Sequence, residues 1–182
     1  MKTPRVALLI GALLATSTAP GCEGKNKGPA AAAEAAFPPI FGKTLGGEYL
    51  HVADLGAKAV LVNVWATWCG PCRKELPTLE RVYRAYRDRG LVVLGVSVDG
   101  ARDRDAVARM VERAGLSYPV ILDPSAKVTT VLDVSGYPAS FLFDAHGRLV
   151  WRRDGIIFEQ DSDLDSQLAA LLATGPASAA QP

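Results

Sequence analysis

Apolar residues occur along this chain in short continuous runs, separated by segments in which they recur every three or four positions. The runs are typical of strands buried on both faces of a sheet, and the recurrence is typical of amphipathic helices. Strands are predicted at residues 48–52, 59–65, 91–98, 118–122, 139–143 and 149–153. Helices are predicted from Cys69 to a stop at Gly90 and at residues 103–114, 125–132 and 162–173. Strands that alternate with helices and end in a hairpin and a helix predict an α/β fold, with a central mixed β-sheet flanked by helices on both faces.

Residues 1–22 have the pattern of a signal peptide. Lys2 and Arg5 are basic, residues 6–14 are apolar apart from one glycine, and small residues follow up to Cys22. The end of this segment, Ala-Pro-Gly-Cys, resembles the bacterial lipobox, in which the cysteine becomes the lipidated first residue of the mature protein. The alternative is a cleaved signal peptide in which Cys22 has no special role.

Composition sets the predicted domain limits. Residues 23–36 are rich in Gly, Lys, Asn, Pro and Ala, which bury little apolar surface, so we interpret them as a disordered tether. Residues 37–173 form the predicted folded domain. Residues 174–182, rich in Ala, Ser and Pro, are predicted to be a disordered tail.

The charge balance gives no reason to expect a nucleic-acid partner. The 182 residues include 20 basic and 19 acidic side chains, for a formal net charge of +1. Arginines at positions 81–89 alternate with tyrosines on a predicted helix, and we interpret them as a solvated face rather than a phosphate-binding patch.

The chemistry is concentrated in the sequence Trp68-Cys69-Gly70-Pro71-Cys72, which follows a predicted buried strand and opens a predicted helix. Amide groups at a helix start have no partner within the helix, and they favour a thiolate over a thiol. Cys69 is therefore the predicted nucleophile, and Cys72, three residues later on the same side, can displace it from a mixed disulfide. If Cys22 carries a lipid, Cys69 and Cys72 remain as the redox-active pair.

Residues 65–77 have the sequence Trp-Ala-Thr-Trp-Cys-Gly-Pro-Cys-Arg-Lys-Glu-Leu-Pro. The segment at 60–77 that contains them resembles the thioredoxin superfamily and, more narrowly, its membrane-anchored TlpA/ResA-type thiol-disulfide oxidoreductases. The resemblance implies a thioredoxin-like fold with a helix and strand inserted at residues 102–122, after the first βαβ unit. It also implies that Pro138 is a cis-proline facing the cysteines and that the Tyr137 backbone pairs with substrate, although an ordinary trans-proline is the alternative. Trp68, Gly70 and Pro71 complete the predicted substrate-binding surface.

Two further residues favour the narrower resemblance. Asn63 stands where thioredoxin has a buried aspartate thought to assist proton transfer, and Glu75 follows Cys72 by one helical turn, where the TlpA/ResA group carries a glutamate. A partly buried glutamate has a raised pKa and could accept the proton of Cys72. The alternative is a surface carboxylate paired with Arg73 or Lys74.

Other polar residues receive no catalytic role from the sequence. Asp99 and Asp123 follow strands and are interpreted as turn residues that could border the site, and His51 and His146 as surface or hairpin residues. Zinc is not expected, because no second Cys-x-x-Cys or histidine cluster completes four ligands. We expect no cofactor.

The leading hypothesis is a monomeric oxidoreductase of the periplasm, anchored to a membrane through lipidated Cys22, that reduces disulfides in exported proteins. Gly-Pro between the cysteines is the dipeptide of the reducing thioredoxins, and a reductant in an oxidising compartment needs a membrane partner that supplies electrons. By resemblance, apocytochrome c is a possible substrate. The alternatives are a peroxiredoxin-like peroxide reductase, a copper-binding or copper-delivery protein, and a binding module without thiol exchange.

Overall fold

The computed structural model describes residues 36–173. The predicted signal peptide, Cys22, residues 23–35 of the predicted tether and the predicted tail at 174–182 lie outside the described residues. Within the described range, no helix has both the length and the apolar character needed to cross a bilayer.

Within residues 36–173, seven strands form one mixed sheet in the order β2-β1-β5-β4-β3-β6-β7. Strands β3, β4 and β5 are parallel to one another, and the remaining neighbours pair antiparallel. The strands are β1 Phe41–Thr44, β2 Tyr49–His51, β3 Ala59–Trp65, β4 Leu91–Ser97, β5 Val120–Leu122, β6 Ala139–Asp144 and β7 Leu149–Asp154.

In the described part of the chain, four α-helices cover the sheet: α1 Gly70–Tyr86, α2 Arg104–Ala114, α3 Lys127–Val131 and α4 Ser162–Ala173. Every residue of β3 is buried, as its continuous apolar run predicts. Because successive strand residues point to opposite faces, Leu61 and Trp65 pack in a core with residues of α1, α2 and α4, whereas Val62 and Val64 pack in a core that includes α3. The predicted mixed sheet with helices on both faces is therefore confirmed.

The element limits differ from the prediction in several places. Strand β1, which lies between β2 and β5, was not predicted, because four residues are too few to show a period. The strand predicted at 118–122 is confined to 120–122, since Tyr118 and Pro119 precede the first pairing with β4. The strand predicted at 48–52 ends at His51, because a 3₁₀ turn begins at Val52.

Helix α2 begins one residue later than predicted, after a 3₁₀ turn at Ala101–Asp103, and α3 is shorter at both ends than the predicted 125–132. Smaller differences of one residue occur at the ends of β4, β6 and β7. The predicted inserted helix and strand correspond to α2 and β5, which lie in sequence between β4 and β6. Strand β5 joins the sheet between β1 and β4, so the insertion extends the sheet beyond β4.

Candidate active site

The two cysteines lie where β3 gives way to α1. Cys69 is the N-cap residue of α1, and its sulfur accepts a hydrogen bond from the Cys72 backbone amide at 3.1 Å. Cys69 and Cys72 are joined in a disulfide, and both side chains are almost fully buried. Pro71 occupies the first turn, where its missing amide hydrogen removes no helical bond. In the reduced protein the same amide would stabilise a thiolate on Cys69.

An aspartate that the sequence placed in a turn holds the loop before the cysteines. Asp99 is 3% exposed, and its carboxylate accepts two bonds from Thr67, one from the backbone amide at 3.0 Å and one from Oγ1 at 2.6 Å. The Ser97 hydroxyl donates a further bond to the same carboxylate at 2.8 Å. Asp99 thus fixes the chain two residues before Cys69. Its position at the carboxyl end of a buried parallel strand was the available sequence signal.

Glu75 lies on the inner side of α1, one turn beyond Cys72, and is 1% exposed. Its carboxylate accepts hydrogen bonds from the Asn63 amide at 2.7 Å and from the Ile157 backbone amide at 2.5 Å. Burial raises the pKa of Glu75 to about 7, and these two hydrogen bonds partly oppose the rise. The alternative of a surface carboxylate paired with Arg73 or Lys74 is therefore wrong.

Asn63, the residue at the position of the thioredoxin aspartate, is in direct contact with Glu75. Its Nδ2 donates to Glu75 and also to the Ser140 hydroxyl at 2.9 Å, and all three side chains are buried. Asn63 Oδ1 has no hydrogen-bond partner among the described residues. Asn63 and Glu75, the two residues that favoured the narrower resemblance, therefore lie in one buried polar cluster.

Trp68, which directly precedes Cys69, forms an aromatic pair at the surface. Trp68 is 64% exposed and packs edge-on against Tyr137, with ring centroids 5.6 Å apart. The Tyr137–Pro138 peptide bond is cis, as the resemblance implies, and the Pro138 carbonyl accepts the Gly155 amide at 2.8 Å. The assignment of Trp68, Gly70, Pro71, Tyr137 and Pro138 to substrate binding remains a prediction.

The other sequence candidates have local structural roles. Asp123 accepts the Val128 amide at 2.8 Å at the start of α3, and the His51 side chain accepts the Ala53 amide at 3.1 Å. His146 is exposed in the turn between β6 and β7. Residues 36–173 contain no group of three or more His, Cys, Asp or Glu side chains placed to hold a metal ion.

Comparison with known proteins agrees with this geometry. The model of the AhpC/TSA family matches residues 33–152. Thiol-disulfide oxidoreductase ResA of Bacillus thuringiensis (strain Al Hakam) is 35% identical over 120 residues, which are 65% of this chain and 66% of that protein. The ResA of Geobacillus thermodenitrificans (strain NG80-2) is 30% identical over 161 residues, or 88% of this chain and 90% of that protein.

Solved structures show the same fold. A thiol:disulfide interchange protein of the thioredoxin family from Chlorobium tepidum TLS is 27% identical and superposes with a TM-score of 0.65, covering 78% of this chain and 98% of that one. The thioredoxin-like fold implied by the motif is thereby confirmed. The chain belongs to the AhpC/TSA family, and it is a ResA-like thiol-disulfide oxidoreductase.

Proposed function

We propose that this oxidoreductase reduces disulfides in exported proteins from a position outside the cytoplasm, where it is tethered to a membrane through lipidated Cys22. The observation that carries the proposal is the buried Glu75 one turn from Cys72, with its pKa raised to about 7 by burial. A carboxylate with that pKa can take up and release a proton near neutral pH. Resolution of a mixed disulfide by Cys72 requires such an acceptor.

The reaction proceeds in two exchanges. The Cys69 thiolate attacks one sulfur of the client disulfide, forming a mixed disulfide and releasing the first client thiolate. Cys72 then loses its proton to Glu75, and its thiolate attacks the Cys69 sulfur. The Cys69–Cys72 disulfide forms, the second client thiolate leaves, and two electrons have passed from the dithiol to the client.

The direction of electron flow is supported by the residues between the cysteines. Gly70-Pro71 is the pair found in reducing thioredoxins. Their reduction potential is about −270 mV, against about −120 mV for a strong periplasmic oxidant. In an oxidising compartment the pair would be reduced again by a membrane protein that carries electrons from the cytoplasm. The Cys-x-x-Cys-His segment of apocytochrome c is the proposed client, by resemblance to the TlpA/ResA group.

A trapping experiment tests this proposal. In the native host, Cys72→Ser should accumulate mixed disulfides on Cys69, because the resolving thiol is missing, and mass spectrometry of these adducts would identify donor and clients. The double variant Cys69→Ser/Cys72→Ser is the matched control and should trap nothing. Adducts restricted to cytoplasmic proteins, or a potential of the purified domain above about −200 mV, would contradict an extracytoplasmic reductant.

A further inference from the structure

A cavity of about 500 Å³ lies beside the active-site loop. It is lined by Thr67, Arg73, Ala106, Arg109, Met110 and Arg113. Thr67 precedes Cys69 by two residues, so the chain between them spans at most about 7 Å. Arg73 follows Cys72 directly, and its guanidinium donates to the Thr67 carbonyl at 2.9 Å. The cavity is therefore attached to the same loop and helix start that carry the dithiol.

Positive charge dominates this cavity. Three of its lining side chains are guanidinium groups and none is a carboxylate. Arg109 and Arg113 are four residues apart on α2, so they lie on one face, separated by about 6 Å along the helix. We call the surface formed by Thr67, Arg73, Arg109 and Arg113 the basic groove.

The arginines of the basic groove differ from most others in the domain in having no acidic partner. Within residues 36–173, the side chains of Arg109 and Arg113 form no ion pair or hydrogen bond, and the acidic α2 residues Asp105 and Glu112 lie beyond ion-pair distance from them. Other arginines do pair with acids: Arg81 with Glu159, Arg84 with Glu80, Arg87 with Asp88, Arg148 with Asp144, Arg152 with Asp154 and Arg153 with Asp161. The groove thus presents exposed guanidinium groups available to a ligand.

We propose that the basic groove binds an acidic segment that flanks the disulfide of the client protein. This inference rests on the proposed function: because Thr67 is two residues from Cys69, residues that flank a client disulfide bound at Cys69 come within reach of the groove. Guanidinium groups match carboxylates in geometry and can bind them through two parallel hydrogen bonds. Exposed charges of this kind act mainly on the rate at which protein and client meet. An acidic flanking segment should therefore raise kcat/KM, and this increase should weaken as the salt concentration rises.

Two oxidised peptides provide the test. They contain the same intramolecular disulfide, flanked in one by glutamates and in the other by glutamines. The variant Arg109→Glu/Arg113→Glu reverses the groove charge. The control Arg87→Glu/Arg89→Glu makes the same change in net charge in the short 3₁₀ turn after α1, which lies at the opposite end of that helix from the cysteines.

Wild type should reduce the glutamate peptide with a kcat/KM about tenfold higher than the glutamine peptide at about 0.01 M salt. This ratio corresponds to about 1.4 kcal/mol, shared among two or three exposed ion pairs. The preference should be retained in the control, lost in the groove variant, and largely abolished at about 1 M salt. The variant Arg109→Gln/Arg113→Gln adds no repulsion and should also lose the preference for the glutamate peptide. It replaces the charge-reversed variant if that variant is unstable.

The outcomes separate the two proposals. Failure of wild type to reduce the glutamine peptide contradicts the proposed function. Reduction of both peptides with equal kcat/KM, or an acidic preference that survives charge reversal, overturns the basic groove alone. Binding can be measured without turnover by fluorescence anisotropy of the glutamate peptide with its cysteines replaced by serine. If wild type and the groove variant bind this peptide equally well, the proposed role of the basic groove is also overturned.

Discussion

Replacement of Glu75 by glutamine should change how the stability of the protein depends on pH. Glutamine has the same shape and remains neutral, and its side-chain oxygen can still accept the Ile157 amide. Its new amide group can donate to Asn63 Oδ1, which has no partner among the described residues, after the Asn63 amide rotates. This rotation gives up the hydrogen bond from Asn63 Nδ2 to Ser140, a cost that does not depend on pH, so the pH dependence of the difference isolates the buried ionisation.

The magnitude follows from the pKa of Glu75, which burial raises from 4.5 to about 7. At about 1.36 kcal/mol per pH unit, ionisation of this carboxyl costs the folded state about 3 kcal/mol. Below pH 4.5 the group is protonated in both the folded and the unfolded state. Between pH 4.5 and 7 the folded state binds more protons, so the free energy of unfolding of wild type falls as pH rises. Glu75→Gln should therefore gain about 3 kcal/mol relative to wild type across this window.

Urea denaturation of the disulfide form, followed by tryptophan fluorescence from about pH 4.5 to pH 8, measures this difference. Glu80→Gln is a suitable control. Burial alone would raise the pKa of Glu80, but hydrogen bonds from Ser117 and Arg84 hold this pKa below its ordinary value of 4.5. The stability that ionised Glu80 contributes is lost only as pH falls below that range, so this control should be nearly flat between about pH 5 and pH 8. A Glu75→Gln difference that is equally flat would refute the assignment of a raised pKa to Glu75.

Two other predictions concern the loop and the chemistry. Asp99→Ala removes the acceptor for the Thr67 amide and hydroxyl. It should lower the free energy of unfolding by about 2–3 kcal/mol and slow the reduction of insulin disulfides. Asp54→Ala, at an exposed position, is the control and should change neither quantity. Unchanged activity in Asp99→Ala would show that the loop does not need this anchor. The peroxide alternative is tested by mixing reduced protein with hydrogen peroxide in a stopped-flow instrument. Oxidation of Cys69 should be no faster than that of free cysteine, and a much faster rate would favour a peroxide reductase.

Local pattern was sufficient for the elements that bear the cysteines. The continuous apolar run of β3 predicted a strand buried on both faces, and its bounds at 59–65 agree with the structure. The Cys-x-x-Cys followed by helical periodicity predicted the nucleophile at a helix start, where Cys69 is the N-cap residue. These features depend on neighbours a few residues apart, which a sequence displays directly.

Long-range contacts could not be predicted in the same way. Helical spacing placed Glu75 on the side of Cys72, but its hydrogen bond with the Ile157 amide, 82 residues away, forms only in the folded chain. Asp99 looked like a turn residue because its partner Thr67 is 32 positions earlier and joins it only when parallel strands align. Strand β1 escaped prediction because its pairing with β5 defines it more than its own four residues do.

The sequence by itself determined the dithiol, its place at the start of a helix and the α/β class, because apolar periodicity and helix-end chemistry act over short segments. The tertiary structure decided which polar groups lose contact with water and which charges meet. Packing of α1 against the sheet enclosed Glu75 with Asn63 and raised its pKa, and packing of α2 beside the active-site loop brought Arg109 and Arg113 to the same cavity as Arg73. Desolvation and charge proximity depend on distance in space, which the order of residues along the chain does not give.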